Sequence, residues 1–273
     1  MGLLETIIIA IVEGITEFLP ISSTGHMIIA GTLLGVQKNE FTKIFEISIQ
    51  LGAILAVIVF YWRRFFQFRR WQFYLKLVVA VIPAIIAGLL FGKYIDYFLE
   101  SPITVAISLL LGGIVLLFVD DFFKNPTIES DDQISFSQSF LIGCWQVIAM
   151  IPGVSRSGAS IIGGLQQKLT RHLAAEFSFF IAAPTMLAAT VYELFIKQVD
   201  FNNTIVSGYE VILMSQQNII SFIVGNIVAF LVAMMAIKFF INYLKVHGFR
   251  SFGVYRIFIG SILLVLILTG NIN

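Results

Sequence analysis

"EGITEFLPISSTGH", residues 13–26, sets two carboxylates, a proline, three consecutive hydroxyl residues and a histidine inside an otherwise apolar stretch. Pro20 and the run Ser22-Ser23-Thr24-Gly25 break the apolar segment 3–35 into halves, each too short to cross a bilayer. The break frees backbone N–H and C=O groups, which are tolerated at membrane depth only where they are buried in protein or line a cavity. The stretch therefore predicts a re-entrant helical hairpin rather than a span.

The same device returns in the second half of the chain. Residues 137–165 are apolar and are broken by "PGVSRSGAS", residues 152–160. Each hairpin is followed by an E-x-S step, Glu46-Ile47-Ser48 and Glu176-Phe177-Ser178. Full-length apolar segments lie near 45–62, 75–92, 103–119, 174–196, 217–241 and 253–269. Each suits the roughly 17–25 residues that a crossing helix needs. The sequence thus predicts a single all-α polytopic membrane domain over 1–273, with six transmembrane helices and two re-entrant hairpins. One hairpin plus three spans per half makes an odd number of crossings, so the halves, about 1–120 and 135–273, are expected to be inverted repeats. In that layout a site falls at the repeat interface near the midplane.

Composition agrees: 58% of residues are hydrophobic and 12% charged, against about 25% charged in soluble domains. Net charge is +1, without a basic tract of the kind nucleic acid requires. The single cysteine, Cys144, is expected to be a small buried hydrophobe. No removable signal peptide is expected, and the chance match of the N-terminus to a myristoylation pattern adds nothing to a chain already held by several spans. Arg63, Arg64, Arg69, Arg70 and Lys76 crowd one loop, and Lys238, Lys245, Arg250 and Arg256 another. Basic loops mark the cytoplasmic side, which leaves both termini outside. The acidic loop with Asp120, Asp121, Glu129, Asp131 and Asp132 falls on the same side and weighs little in that rule.

The chemistry concentrates at the two breaks. Glu13 and Glu17 stand one helical turn apart on a shared face, and ionisable residues at membrane depth are functional by default. Together they could hold a hard divalent cation. Ser22, Ser23, Thr24 and Gly25 supply hydroxyls and free N–H groups where a short helix begins, a favourable anion site. At the second break Ser155, Arg156, Ser157 and Ser160 repeat the arrangement, and the fork of Arg156 suits a phosphate. His26 has candidate partners in Glu17 and Ser23 and exchanges protons near neutral pH. His172 and His247 read as solvated loop residues. This is an inventory for phosphoryl transfer, in which catalysis is mostly positioning and charge stabilisation. Ser23 is the expected nucleophile, with His26 or Glu17 taking its proton; phosphorylation of His26 and direct attack by water remain open. A transporter or flippase of a phosphorylated lipid is the alternative, since paired hairpins in inverted repeats suit transport as well.

Residues 13–26 and 152–160, with "FEISIQLGAI" (45–54) and "AAEFSFFIAAP" (174–184), resemble the undecaprenyl-diphosphatase family, the bacterial bacitracin-resistance proteins called BacA or UppP. The resemblance covers the whole chain. It implies an integral phosphatase of the bacterial cytoplasmic (inner) membrane that removes the terminal phosphate of undecaprenyl diphosphate, regenerating the carrier lipid for peptidoglycan synthesis. It also implies a site open to the outer face and dependence on magnesium or calcium. By motif position the family's acidic pair falls on Glu13 and Glu17, its hydroxyl run on Ser22, Ser23 and Thr24, and its histidine on His26. Its second motif falls on Ser155, Arg156 and Ser157, and the acid of the first E-x-S step is Glu46. Two departures stand out: Ser160 occupies a position where threonine is expected, and the 120–132 loop is acidic rather than basic. The sequence leaves oligomeric state open.

Overall fold

The computed structural model describes residues 1–37, 39–99, 101–201 and 204–272, with backbone only for 93–99. Helices dominate throughout. The first hairpin is α1 (Leu3–Thr16) and α2 (Ser23–Leu33), and the second is α8 (Phe136–Ile148) and α9 (Arg156–Gln166). At about 1.5 Å per residue none of these four helices reaches the roughly 30 Å of a hydrocarbon core.

Six helical segments are long and apolar enough to cross a membrane: Glu40–Phe60, Trp71–Gly92, Pro102–Phe122, Arg171–Ile196, Gln216–Leu244 and Arg250–Leu268. All six segments expected from hydropathy are therefore present. The first of them is two helices, α3 (Glu40–Ser48) and α4 (Gln50–Phe60), joined at Ile49. The Ser48 hydroxyl bends back to the Phe45 carbonyl at 2.9 Å, competing with the helix ladder at that joint. A single turn, α5 (Trp62–Phe65), leads to α6 (Trp71–Leu99) and α7 (Pro102–Phe122). After the second hairpin come α10 (Arg171–Val191), ending in a π turn, then α11 (Gly208–Leu213), α12 (Gln216–Leu244) and α13 (Arg250–Leu268). Hydropathy gave no sign of strands β1 (Gln198–Phe201) and β2 (Thr204–Ser207), which pair antiparallel between the π turn and α11.

The packing exchanges partners between the halves. α1 lies along α12, and α8 lies along α6, so each hairpin's first helix packs on the second span of the other half. α7 and α13, the last span of each half, pack on each other. Their closest approach is built on glycine: a methyl on Gly113 would lie 2.9 Å from the Gly253 carbonyl, and one on Gly253 would lie 2.8 Å from that of Gly113. Inside, Phe18 of the first hairpin packs edge-on against Phe179 at 5.4 Å, and Phe240 packs edge-on against Phe252 at 5.2 Å. Outside, large apolar side chains such as Leu89, Leu90, Phe122 and Leu268 are exposed. A surface of that extent is one for lipid, not water. Cys144 corrects its expectation: it sits on the outward face of α8, exposed.

The basic and acidic loops meet at one end. Arg64 and Arg70 pair with Asp131 at 3.0 and 2.9 Å, and Lys76 Nζ donates to the Asp131 and Asp132 carbonyls. Asp120 pairs with Arg171 at 2.6 Å and accepts the Phe249 N–H at 2.7 Å. The acidic loop is thus the counter-ion of the basic one. Burial pushes the Asp131 carboxyl up, but the hydrogen bond from Arg70 and the charges of Arg64 and Arg70 outweigh it and hold it below the ordinary range. A depressed carboxylate stabilises the fold above the ordinary carboxylate range, near pH 4, and the contribution is lost as pH falls through its folded value. Between about pH 6 and about pH 3, Asp131→Asn is expected to lose less Tm than wild type does. Equal losses in detergent melts of the two proteins would contradict this.

Candidate functional site

The two breaks are built alike. Ser22 caps α2 with φ 70° and ψ 100°, and Ser155 caps α9 with φ 75° and ψ 115°. A non-glycine residue at positive φ is uncommon and costs of order 1–3 kcal/mol, a strain that clusters at functional sites. Aligning these two serines sets Ser23 against Arg156, Thr24 against Ser157, and Pro20 against Gly153.

Glu17 is the hub. Its Oε2 accepts the Ser23 hydroxyl at 2.6 Å, and its Oε1 pairs with Arg156 Nη2 at 3.3 Å, joining residues 139 apart in sequence. Arg156 Nη1 donates to the Ser178 carbonyl at 3.2 Å, and its guanidinium lies 5.8 Å from the Phe18 ring. Its Nε is buried without a partner. Glu17, Ser23 and Arg156 line a cavity of about 230 Å³ with Ser22, Thr24 and Ser155. Gln50, Gln146 and Thr185, which the motifs did not single out, complete its polar lining.

The remaining expected residues are placed differently. Ser157 is fully buried and donates to the Phe18 carbonyl at 2.7 Å, tying the hairpins together. Ser160 is buried against the Arg156 carbonyl and the Ser178 hydroxyl, at 2.8 and 2.7 Å. Gly25 packs under α7, where a methyl would lie 2.7 Å from Leu109 Cδ1. None of these three borders the cavity. Nor does His26, whose bonds run to neither Glu17 nor Ser23. Its Nδ1 meets the Ser22 carbonyl at 2.7 Å and its Nε2 meets the Tyr255 hydroxyl at 2.9 Å. A carbonyl only accepts, so Nδ1 carries the proton and Nε2 accepts from tyrosine. The ring buttresses the strained Ser22. His26→Ala is therefore expected to lower turnover by about tenfold, through loss of that support, well short of a lost general base at 10²–10⁴. A loss of about a thousandfold or more, inside that range, would make His26 the base.

Arg256 corrects the loop assignment. It is 1% exposed and spends its donors on five carbonyls: Pro20, Gly153, Val154, Ser108 and Leu109, at 2.9–3.4 Å. Pro20 and Gly153 are the corresponding residues of the two breaks, so one side chain gathers both turns onto α7. The signal was present in the sequence, because Arg256 falls inside the apolar segment 253–269.

For a cation, Glu13 is 2% exposed and its Oε1 is buried without a partner. It lies within electrostatic reach of Glu17, Glu46 and Arg156. No group of three or more His, Cys, Asp or Glu residues could hold an ion among the described residues. Magnesium-class ions use one or two carboxylates and complete their shell with substrate phosphate and water, so an orphaned acid beside Glu17 fits.

Fold and site together define a multi-pass helical membrane protein whose polar centre is assembled by two broken hairpins. Residues 6–262 match the family model described as bacitracin resistance protein BacA. The undecaprenyl-diphosphatase of Flavobacterium johnsoniae is 54% identical over 267 residues, covering 97% of this chain and 96% of the relative. That of Flavobacterium psychrophilum is 56% identical over 266 residues, with the same shares. That of Aquifex aeolicus is 44% identical over 260 residues, covering 94% and 96%. The chain belongs to the bacitracin resistance protein BacA family.

Proposed function

We propose that this protein is an undecaprenyl-diphosphate phosphatase, releasing inorganic phosphate and undecaprenyl phosphate and so recycling the carrier lipid of peptidoglycan synthesis. Bacitracin resistance would follow from the same activity. The observation that carries the reading is Glu17, held between the Ser23 hydroxyl and the Arg156 guanidinium inside one cavity. Transport needs an anion site but has no use for a hydroxyl bonded at 2.6 Å to a carboxylate, which favours hydrolysis.

In this reading Arg156 and the N-terminal N–H groups of α2 and α9 bind the terminal phosphate. Ser23 Oγ attacks its phosphorus, Glu17 takes the hydroxyl proton, and the bond to the bridging oxygen breaks, so undecaprenyl phosphate leaves. Water then cleaves the phosphoserine, giving phosphate and restoring Ser23. Glu13 and Glu17 would hold a magnesium or calcium ion, which would neutralise charge on the diphosphate. Both hairpins are re-entrant in this account, and the halves are inverted repeats in the cytoplasmic (inner) membrane. The basic loops lie in the cytoplasm and the cavity opens outward.

The test is phosphate release from undecaprenyl diphosphate by purified protein, with and without a chelator. Release that stops with chelator and returns with magnesium or calcium is expected. Full activity in chelator would remove the cation, and no release by folded protein would remove the phosphatase.

A further inference from the structure

The cavity has two unlike walls. The hairpin breaks form the polar one; Ala84 of α6, Ala149 and Met150 at the end of α8, and Met186 and Ala189 of α10 form an apolar one. α6 and α10 touch near the charged loops, where the Phe73 and Phe180 rings pack 5.3 Å apart. Further along, each carries an interior proline just before its cavity-lining residues, Pro83 before Ala84 and Pro184 before Thr185 and Met186. No other described helix has a proline beyond its first turn. Proline removes a ladder hydrogen bond and bends the helix. Both prolines stand beside the cavity, where a bend would part the two helices.

What borders that opening is small or pliable. One turn beyond Ala84, a methyl built on Gly88 would meet only Met150 Cε, at 3.6 Å, an ordinary contact. Methionine adapts its shape readily. Ala189 and Leu187 on α10 and Leu89 on α6 are exposed, so the apolar wall continues outward onto the lipid-facing surface. The polar boundary is marked by Gln146, whose Nε2 donates to Thr185 Oγ1 at 3.1 Å and whose Oε1 is buried without a partner. On the α13 side, Tyr255 is tied to His26 by a hydrogen bond at 2.9 Å, and neither residue borders the cavity.

We infer that the polyprenyl chain of the lipid diphosphate leaves the cavity sideways between α6 and α10, over Met150, with its first isoprene unit against Ala84 and the units after it passing Gly88 and Ala189. The inference rests on the phosphatase reading and adds the place where chain is told from headgroup.

The test compares undecaprenyl diphosphate with isopentenyl diphosphate, which carries one isoprene unit, on wild type, Gly88→Ala, Gly88→Leu and Ala189→Leu. Gly88→Ala should match wild type on both substrates. The leucine variants should raise KM for undecaprenyl diphosphate by roughly tenfold while leaving kcat/KM for isopentenyl diphosphate unchanged. Equal losses on both substrates, or none, would overturn the inference. Independently of turnover, a photoreactive diazirine on the first isoprene unit of a long-chain diphosphate should cross-link to α6 and α10. Cross-links confined to α12 and α13 would place the chain elsewhere. Wild type inactive on both substrates would remove the phosphatase reading, and this inference with it.

Discussion

Arg256→Met is expected to abolish activity and to lower stability by several kcal/mol, since each buried acceptor left without its donor costs about 1–3 kcal/mol. The guanidinium has five N–H donors, and five carbonyls receive them. Methionine fills much of the volume but donates nothing, so the Pro20, Gly153 and Val154 carbonyls lose their donor, while Ser108 and Leu109 keep only their bonds within α7. Two of those carbonyls, Pro20 and Gly153, sit two residues before the strained serines Ser22 and Ser155. Both phosphate-facing turns should therefore relax together. Arg256→Lys keeps the charge but has only three donors on a point ammonium; it should recover stability more than activity. Thermal unfolding in detergent beside phosphate release checks both variants. Melting of Arg256→Met within a degree or two of wild type would show that the five bonds do not hold the turns.

Glu17→Gln should lower kcat by about a thousandfold, within the span of general base catalysis, with little change in Tm. Glutamine has the same shape and can still accept the Ser23 hydroxyl through its carbonyl oxygen, and the hairpins stay joined through the Ser157 bond to the Phe18 carbonyl. What it cannot do is take the Ser23 proton or balance the charge of Arg156. The effect should therefore appear in single-turnover phosphate release rather than in binding. Retention of more than a tenth of wild-type kcat would assign the proton to another group.

Much of this was legible in the chain. The six spans follow from apolar runs of crossing length, and the two hairpins from Pro20 and Pro152 placed inside such runs. Glu17, Ser23 and Arg156 were readable because ionisable and hydroxyl groups at membrane depth need a reason to be there. Their contact was not readable, since Glu17 and Arg156 are 139 positions apart and meet only through the packing of both hairpins. Ser157 and Ser160 have the same residue type as Ser155, yet the helical turn points them into protein; residue type alone does not carry direction. His26 follows the hydroxyl run in sequence, but one turn along α2 its ring faces Tyr255. Arg256 was hidden by a counting rule, because a basic residue near a span end was read as loop charge. Gln146 and Thr185 looked like ordinary polar residues until two helices brought them to one wall.

The most direct measurement is phosphate release from undecaprenyl diphosphate by wild type and Arg156→Ala, each shown to be folded by its melting curve. If the reaction runs between the two hairpins, wild type releases phosphate and the variant falls by about a thousandfold or more, as when a preorganised charge stabiliser is lost. A folded Arg156→Ala within tenfold of wild type would place the chemistry somewhere other than this cavity.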